Sequence, residues 1–370
     1  MKIVLAPDKF KGSIDSISLC TLLHKEIVAL YPAAEVSEFP LSDGGDGFVQ
    51  IVKHYFKTNT VSTQTVDPLG RALVAQYQFA PETSTAFIEM AAASGLSLLK
   101  QKEYDIMRSS TYGTGLMIRD AINRGAQHIV IGIGGSATHD GGIGMADALG
   151  YMFLDKNGDP LEPIAENLTL INELVLPESD LLEDIQFTVA CDVKSPFVGP
   201  DGAAKVFAKQ KGATEEQIDQ LEEGLKHLDD VFIKFMGRSV AEEPGAGAAG
   251  GLGGGCDIFL GARLVSGIDY LIEEIGLEKS IQEADILLTG EGRLDDSSFQ
   301  GKVVGQLIEL ARKHAVKVYV IAGESTIAVK DANAMGVDRI ATLIDFAGSK
   351  QSAVGKPAHF LPIAVAKILG

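Results

Sequence analysis

The sequence predicts an α/β protein of two domains: a doubly wound parallel sheet assembled from both chain ends, and a mixed α/β domain inserted between them. Three observations carry this reading. Strand-loop-helix units open the chain and return after Ser266, the rhythm of a parallel sheet covered by helices. The segment between them alternates apolar and polar residues, as strands paired with close neighbours do. At 370 residues, the chain exceeds the roughly 250–300 residues that one core organises.

Ile3-Val4-Leu5 reads as a buried strand, followed by a Gly-containing loop, Asp8 to Ser13, and a helix with Ile17, Leu22, Leu23 and Ile27 at helical spacing. A strand near Val36–Phe39, the loop Ser42–Gly47 and a helix through Val49, Val52 and Phe56 repeat the unit. From Val61 the pattern changes. Ala72–Phe79 and Thr85–Met90 alternate as strands, Leu116–Arg124 reads as a helix and His128–Ile133 as a continuous apolar strand. The loop Gly132–Gly144 leads into a helix through Met145 and Leu149; Phe187–Ala190 is a strand and Thr214–Phe235 a long amphipathic helix. Gly245–Gly255 is too rich in glycine for regular structure. After Ser266 come a helix to Ile275, the strand Ile286–Thr289, a loop Gly290–Asp296, a helix Val303–His314, the strand Val318–Ile321, a strand near Ile340–Ile344 and a closing helix to Ile368. Residues 1–60 and 283–370 are therefore assigned to one flavodoxin-like domain and 61–282 to the insertion.

Composition narrows the function. With 46% hydrophobic and 22% charged residues the chain is ordinary globular protein, not a disordered or collagen-like one. Its formal charge of −18 argues against nucleic acid and anionic membrane surfaces as partners, because both demand a basic face. Small anionic substrates then require locally placed cations or a metal. Cys20, Cys191 and Cys256 lie far apart without metal-type spacing, which fits a reducing cytoplasm. The N-terminus meets Asp8 and Pro7 too early for a signal peptide, and no apolar stretch reaches the length of a membrane span.

The chemistry concentrates where glycines and carboxylates coincide. Glycine is in surplus, 41 residues where an average composition gives about 26. Three loops leave the carboxyl ends of strands in the proposed parallel sheet: Ala6-Pro7-Asp8-Lys9-Phe10-Lys11-Gly12-Ser13, Ser42–Gly47, and Thr289-Gly290-Glu291-Gly292-Arg293-Leu294-Asp295. Open parallel sheets bind ligands on that edge. Carboxylates with Lys9, Lys11 and Arg293 suit a substrate whose negative oxygens are handled through a divalent cation, Mg²⁺, with glycine letting backbone N–H groups approach. Each loop by itself is equally well a turn; three on one edge favour a site.

Within the insertion, Gly132–Gly142 follows a strand and opens a helix, so Gly134, Gly135 and Ser136 can present N–H groups to phosphate. The segment also matches a permissive dinucleotide fingerprint, with Ala137 in the third glycine's place, except that Asp140-Gly141-Gly142 intervenes before the helix. Gly245–Gly250 spells G-x-G-x-x-G after Pro244 instead of a strand, a coincidental match; Gly250–Asp257, with Gly254 and Asp257, remains a candidate substrate cradle. No Walker A spacing precedes Gly301-Lys302 or Gly355-Lys356. Ser136, His139 and Asp140 hold the letters of a triad but are too close in sequence for its geometry. Asp192, at the end of the strand Phe187–Ala190, is placed for general-base or metal work, or for terminating a turn. Arg71 in Asp67-Pro68-Leu69-Gly70-Arg71 is able to hold a carboxylate, or to decorate a turn.

In this order, from Ala6–Ser13 through Leu41–Gly47, Asp67–Arg71, Gly132–Gly142, Ala190–Val193, Gly247–Gly254 and Thr289–Asp295 to Gly301-Lys302, these stretches resemble the type I glycerate kinase family over essentially the whole chain. The resemblance implies a flavodoxin-like domain joined to a restriction-endonuclease-like one, with transfer of the γ-phosphoryl group of ATP to D-glycerate with Mg²⁺. Because the loops come from both domains, the site is expected in the cleft between them, with closure excluding water. The expected product is 2-phosphoglycerate, with the 3-phosphate as the alternative. On this reading Asp192, Asp46, Lys9 and Arg293 are catalytic, with Asp192 or one of Asp43 and Asp46 taking the hydroxyl proton. Lys11, Ser42, Asp43, Arg71, Gly254 and Asp257 bind substrate. Gly134, Gly135, Ser136, Gly290, Glu291 and Lys302 bind ATP, and Asp43, Asp46, Asp192, Glu291 and Asp295 are drawn on for the metal. His139 departs from the family, where Asn is expected, which sets its side chain apart from any direct role. A nicotinamide-dependent hydroxy-acid dehydrogenase and a non-catalytic sugar-acid sensor are the competing functions. Monomer and homodimer stay open.

Overall fold

Ile3, Val4 and Leu5 are all buried, a continuous apolar run that suits an inner strand covered on both faces. The computed structural model describes residues 1–42, 48–178, 181–299 and 302–370. It places Lys2–Leu5 in a five-stranded sheet, with neighbours in the order Arg339–Thr342, Lys317–Ser325, Ile286–Leu294, Lys2–Leu5 and Glu35–Glu38. All four pairings are parallel. Ile3 and Leu5 share one core with Leu19, Leu23 and Ile27 of the helix Ser16–Leu30 and with Leu361 and Val365 of the helix Pro357–Leu369. The Asp15 side chain caps the first of these helices, accepting from the Ser18 N–H at 2.8 Å. Glu35–Glu38, with its two charged residues, occupies an edge, where an unpaired ladder is best protected by charge.

The chain divides into two compact units, Met1–Ile51 with Gly267–Gly370, and Val52–Ser266. The helices Gly267–Glu274 and Leu277–Gln282, which the sequence pattern leaves in the insertion, lie in the first unit, where they pack with the helix Val303–Lys313.

The second unit holds a six-stranded mixed sheet. Its neighbour order is Arg263–Val265, Gln186–Ala190, His128–Gly132, Thr85–Glu89, Ala72–Ala80 and Asn59–Val66; the first four are mutually parallel and the last two antiparallel. The helix Glu215–Met236 starts at a capping box of Thr214 and Gln217 and stops at Gly237, φ 73°. It buries Ile218, Leu221, Leu225, Leu228 and Phe232 along one face.

Two expectations are corrected. The segment Gly290–Leu294 is not a loop: the strand Ile286–Leu294 runs through it, pairing Glu291 with Ala322 and Arg293 with Glu324. Cooperative ladder bonds to the equally extended Lys317–Ser325 strand outweigh the turn preference of the two glycines. Gly245–Gly255 is not irregular throughout either, because a helix spans Ala248–Leu260. Its start is left-handed at Ala249, Gly250 and Gly251; from Leu252 it is regular. Glycine serves close packing here. A Cβ on Gly255 would lie 2.4 Å from the Gly141 carbonyl oxygen, and one on Gly254 2.8 Å from the Phe197 ring.

Candidate active site

In the first unit, loops and strand ends at the carboxyl edge of the parallel sheet enclose a cavity of about 360 Å³. Its lining includes Asp8, Lys9, Lys11, Glu291, Arg293, Asp295, Lys302, Glu324 and Lys350. The Asp8 N–H donates to the Gly290 carbonyl at 2.9 Å, pinning the first loop to the neighbouring strand. Phe10 is buried, and its N–H donates to the Ile14 carbonyl at 2.8 Å, so Lys9 and Lys11 flank an anchored residue. Gly292 permits this approach: a Cβ there would sit 3.1 Å from the Lys11 nitrogen.

The electrostatics are mixed by design of the lining. Burial pushes the Glu291 carboxyl up to about 7, with Asp8 and Asp295 adding to the shift and Ser298 and Lys302 opposing it. Its Oε1 atom is buried without a hydrogen-bond partner. Asp295 moves the other way, held below the usual carboxylate range chiefly by the Ser297 hydroxyl. The Ser297 N–H also donates to Asp295 Oδ1 at 3.0 Å, and Lys302 Nζ donates to Ser297 Oγ at 2.7 Å. Arg293 Nε lies 3.5 Å from Asp295 Oδ2 and 4.0 Å from Glu324 Oε1. Such a lining has the chemistry to neutralise an anion and to offer carboxylate oxygens to a cation.

The other sequence-derived residues fall into three groups. Asp43 and Asp46 lie outside the described residues, and Ser42, next to them, is buried with an unpartnered Oγ. Gly290 does not line the cavity, because its backbone is engaged with Ile321 across the sheet and a Cβ would meet that carbonyl at 2.1 Å. In the second unit, Gly134 and Gly135 are exposed just beyond the strand His128–Gly132, and Ser136 is bridged to Gly95. Asp192 is exposed two residues past the end of Gln186–Ala190.

Gly254 is buried within its helix against the Phe197 ring, and Asp257 is ion-paired to Arg238. Neither forms the open cradle expected of Gly250–Asp257, because the glycines fit this helix against the Thr138–Gly142 loop. Arg71 is already held by Asp67 and, at 3.0 Å, by Glu103. Asp67 Oδ1 also accepts the Leu69 and Arg71 N–H groups, so the turn alternative describes this segment. The triad letters do not assemble: Asp140 accepts from Thr111, Gly142 and Gly144, while both ring nitrogens of the buried His139 lack partners. Burial drives that imidazole well below its usual pKa, so it is neutral.

Sequence reasoning missed Glu324, Lys350 and Lys211. Glu324 was within reach, since Gly323-Glu324-Ser325 ends a parallel strand on the same edge. Nothing local marks Lys350 or Lys211. Lys211 is 2% exposed and donates to the Thr138 carbonyl at 2.7 Å; burial pushes its amine down to about 7 while Asp140 opposes the shift.

Comparison with known proteins matches residues 3–370 to the glycerate kinase family. The glycerate 2-kinase of Escherichia coli (strain K12) is 38% identical over 354 residues, covering 95% of this chain and 93% of that protein. The glycerate kinase of Bacillus subtilis (strain 168) is 36% identical over 365 residues, 98% of this chain and 95% of that one. A crystal structure assigned to glycerate kinase 2 of Salmonella typhimurium LT2 superimposes with a TM-score of 0.86 at 34% identity, covering 100% of this chain and 98% of that chain.

Proposed function

The chain belongs to the glycerate kinase family, and from that premise we propose that it transfers the γ-phosphoryl group of ATP to D-glycerate with Mg²⁺, giving ADP and 2-phosphoglycerate. The observation that carries this reading is the cavity where Lys9, Lys11, Arg293 and Lys302 meet Glu291 and Asp295. Phosphoryl transfer asks for positioning and charge neutralisation more than for covalent catalysis, and this lining is suited to both. Numbered along the first unit, the sheet order is 2-1-3-4-5, which supports a flavodoxin-like assignment and a ligand at the carboxyl ends of its strands. We assign the mixed sheet of the second unit to the restriction-endonuclease-like fold. The name glycerate 2-kinase on the E. coli relative favours the 2-product.

Mg²⁺ would supply neutralisation of the phosphate oxygens. Glu291 and Asp295 are the residues that would hold it, and the buried, unpartnered Glu291 Oε1 fits that part. No group of three or more His, Cys, Asp or Glu forms a cage among the described residues; beside phosphates, Mg²⁺ takes one or two carboxylates and keeps waters. Lys9, Lys11, Arg293 and Lys302 neutralise phosphate in the first unit's cavity, and in the second unit the exposed Gly134-Gly135 backbone offers N–H groups suited to phosphate. Asp192, or Asp43 or Asp46, orients the glycerate hydroxyl and takes its proton. No helix among the described residues is long and apolar enough to cross a membrane, and small polar substrates fit a cytoplasmic setting.

The test is direct. Purified protein with ATP, Mg²⁺ and D-glycerate should form phosphoglycerate, and phosphorus NMR should show the phosphate on the 2-hydroxyl. Turnover that persists in EDTA, or none with D-glycerate, would overturn the reading.

A further inference from the structure

The cavity holds one cation that the motifs do not announce. Lys350 begins the short helix Lys350–Gly355 and lines the cavity. Its Nζ lies 2.6 Å from Glu324 Oε1, the same oxygen that Arg293 Nε approaches at 4.0 Å. One carboxylate oxygen therefore stands between two cations at the cavity wall, as a phosphate oxygen would. We propose that Lys350 is a nucleotide-phosphate-binding residue and that Glu324 is its built-in counter-anion, released from Lys350 when phosphate arrives. The proposal rests on the kinase reading above and deepens it.

Three observations argue for exchange over a fixed structural pair. The Lys350 side chain is 65% exposed while Glu324 is 22% exposed, and an ion pair with one partner in solvent is weakly held, so a multiply charged phosphate competes successfully. Glu324 has a second cation, Arg293, to turn to when Lys350 leaves it. The Lys350 helix is also tied to the first loop, because Ser13 Oγ donates to the Val354 carbonyl at 2.6 Å. That bond ties the helix that carries Lys350 to the loop that carries Lys9, and both side chains line the cavity.

The test titrates the full-length protein, with Mg²⁺ present, separately with a non-hydrolysable ATP analogue and with D-glycerate. Lys350→Met should weaken analogue binding about tenfold, the scale of one charge-assisted contact, and Lys350→Arg should restore most of it. Glu324→Gln should tighten analogue binding about two- to fivefold, a gain that disappears when Lys350→Met is already present, since only interacting residues are non-additive. Unchanged affinity in Lys350→Met, weaker binding in Glu324→Gln, or a loss confined to D-glycerate overturns the proposal. If the unmodified protein binds no analogue, the kinase reading itself fails; if it binds and Lys350→Met binds equally well, only this inference does.

Discussion

With its carboxyl pushed up to about 7, Glu291 keeps a proton in the folded protein that an unfolded glutamate loses near pH 4.3. The stability tied to that proton is fully present below about pH 4.3 and is gone above about pH 7. At about 1.4 kcal/mol per pH unit, urea titrations in EDTA should show the unmodified protein losing about 2–3 kcal/mol relative to Glu291→Gln between pH 4.5 and 7.5. A pH-independent difference would contradict the assignment. Lys211 works in the opposite sense. Its amine is pushed down to about 7, so over pH 7–10 the unfolded chain binds the extra proton and stability rises with pH. Between pH 7 and 9 the unmodified protein should gain about 2–3 kcal/mol that Lys211→Met does not gain. Neither shift is legible in the sequence, because a pKa is set by burial and by neighbours from distant segments, here Asp8 beside Glu291 and Asp140 beside Lys211.

At the scale of elements, the glycines divide by what surrounds them. Gly255 faces the Gly141 backbone, whereas a Cβ on Gly134 would meet nothing within 4 Å. Alanine at 255 gains about 1 kcal/mol of helix propensity but forces the helix off the loop, so Gly255→Ala should lower stability by about 1–3 kcal/mol net. Gly134→Ala should leave the urea midpoint unchanged; a loss as large as that of Gly255→Ala would show that its loop is packed like the helix. The sequence surplus reads as backbone cleared for phosphate, and for Gly292 and the exposed Gly134 and Gly135 that reading stands as a proposal. For Gly250 to Gly255 the structure gives a different use, helix-to-loop contact. Composition does not separate the two, since both need the same missing Cβ.

At the scale of the molecule, the continuous unit Val52–Ser266 closes its own core, in which Ile88, Ile131, Val189, Leu225 and Phe259 all take part. A fragment of residues 52–266 should therefore unfold in one cooperative urea transition, followed by near-ultraviolet circular dichroism. A gradual, non-cooperative loss of signal would show that the unit depends on the rest of the chain. The first unit is built from two distant segments and has no such fragment. Its strand order joins Lys2–Leu5 to Ile286–Leu294, a pairing that no local pattern reveals.

Sequence alone carried the alternation of strands and helices, the change of pattern at Val61, and the stretches in which glycine, carboxylate and cation coincide. Those signals are local: apolar periodicity and turn chemistry are written in consecutive residues. Only the tertiary structure decided that Gly290–Leu294 is strand, that Gly290 belongs to the sheet while Gly292 opens onto the cavity, and that Glu324 and Lys350 join Arg293 there. These depend on ladder pairing, close backbone approach and burial. Each is a relation between residues far apart in the chain, which the fold creates when it brings them together.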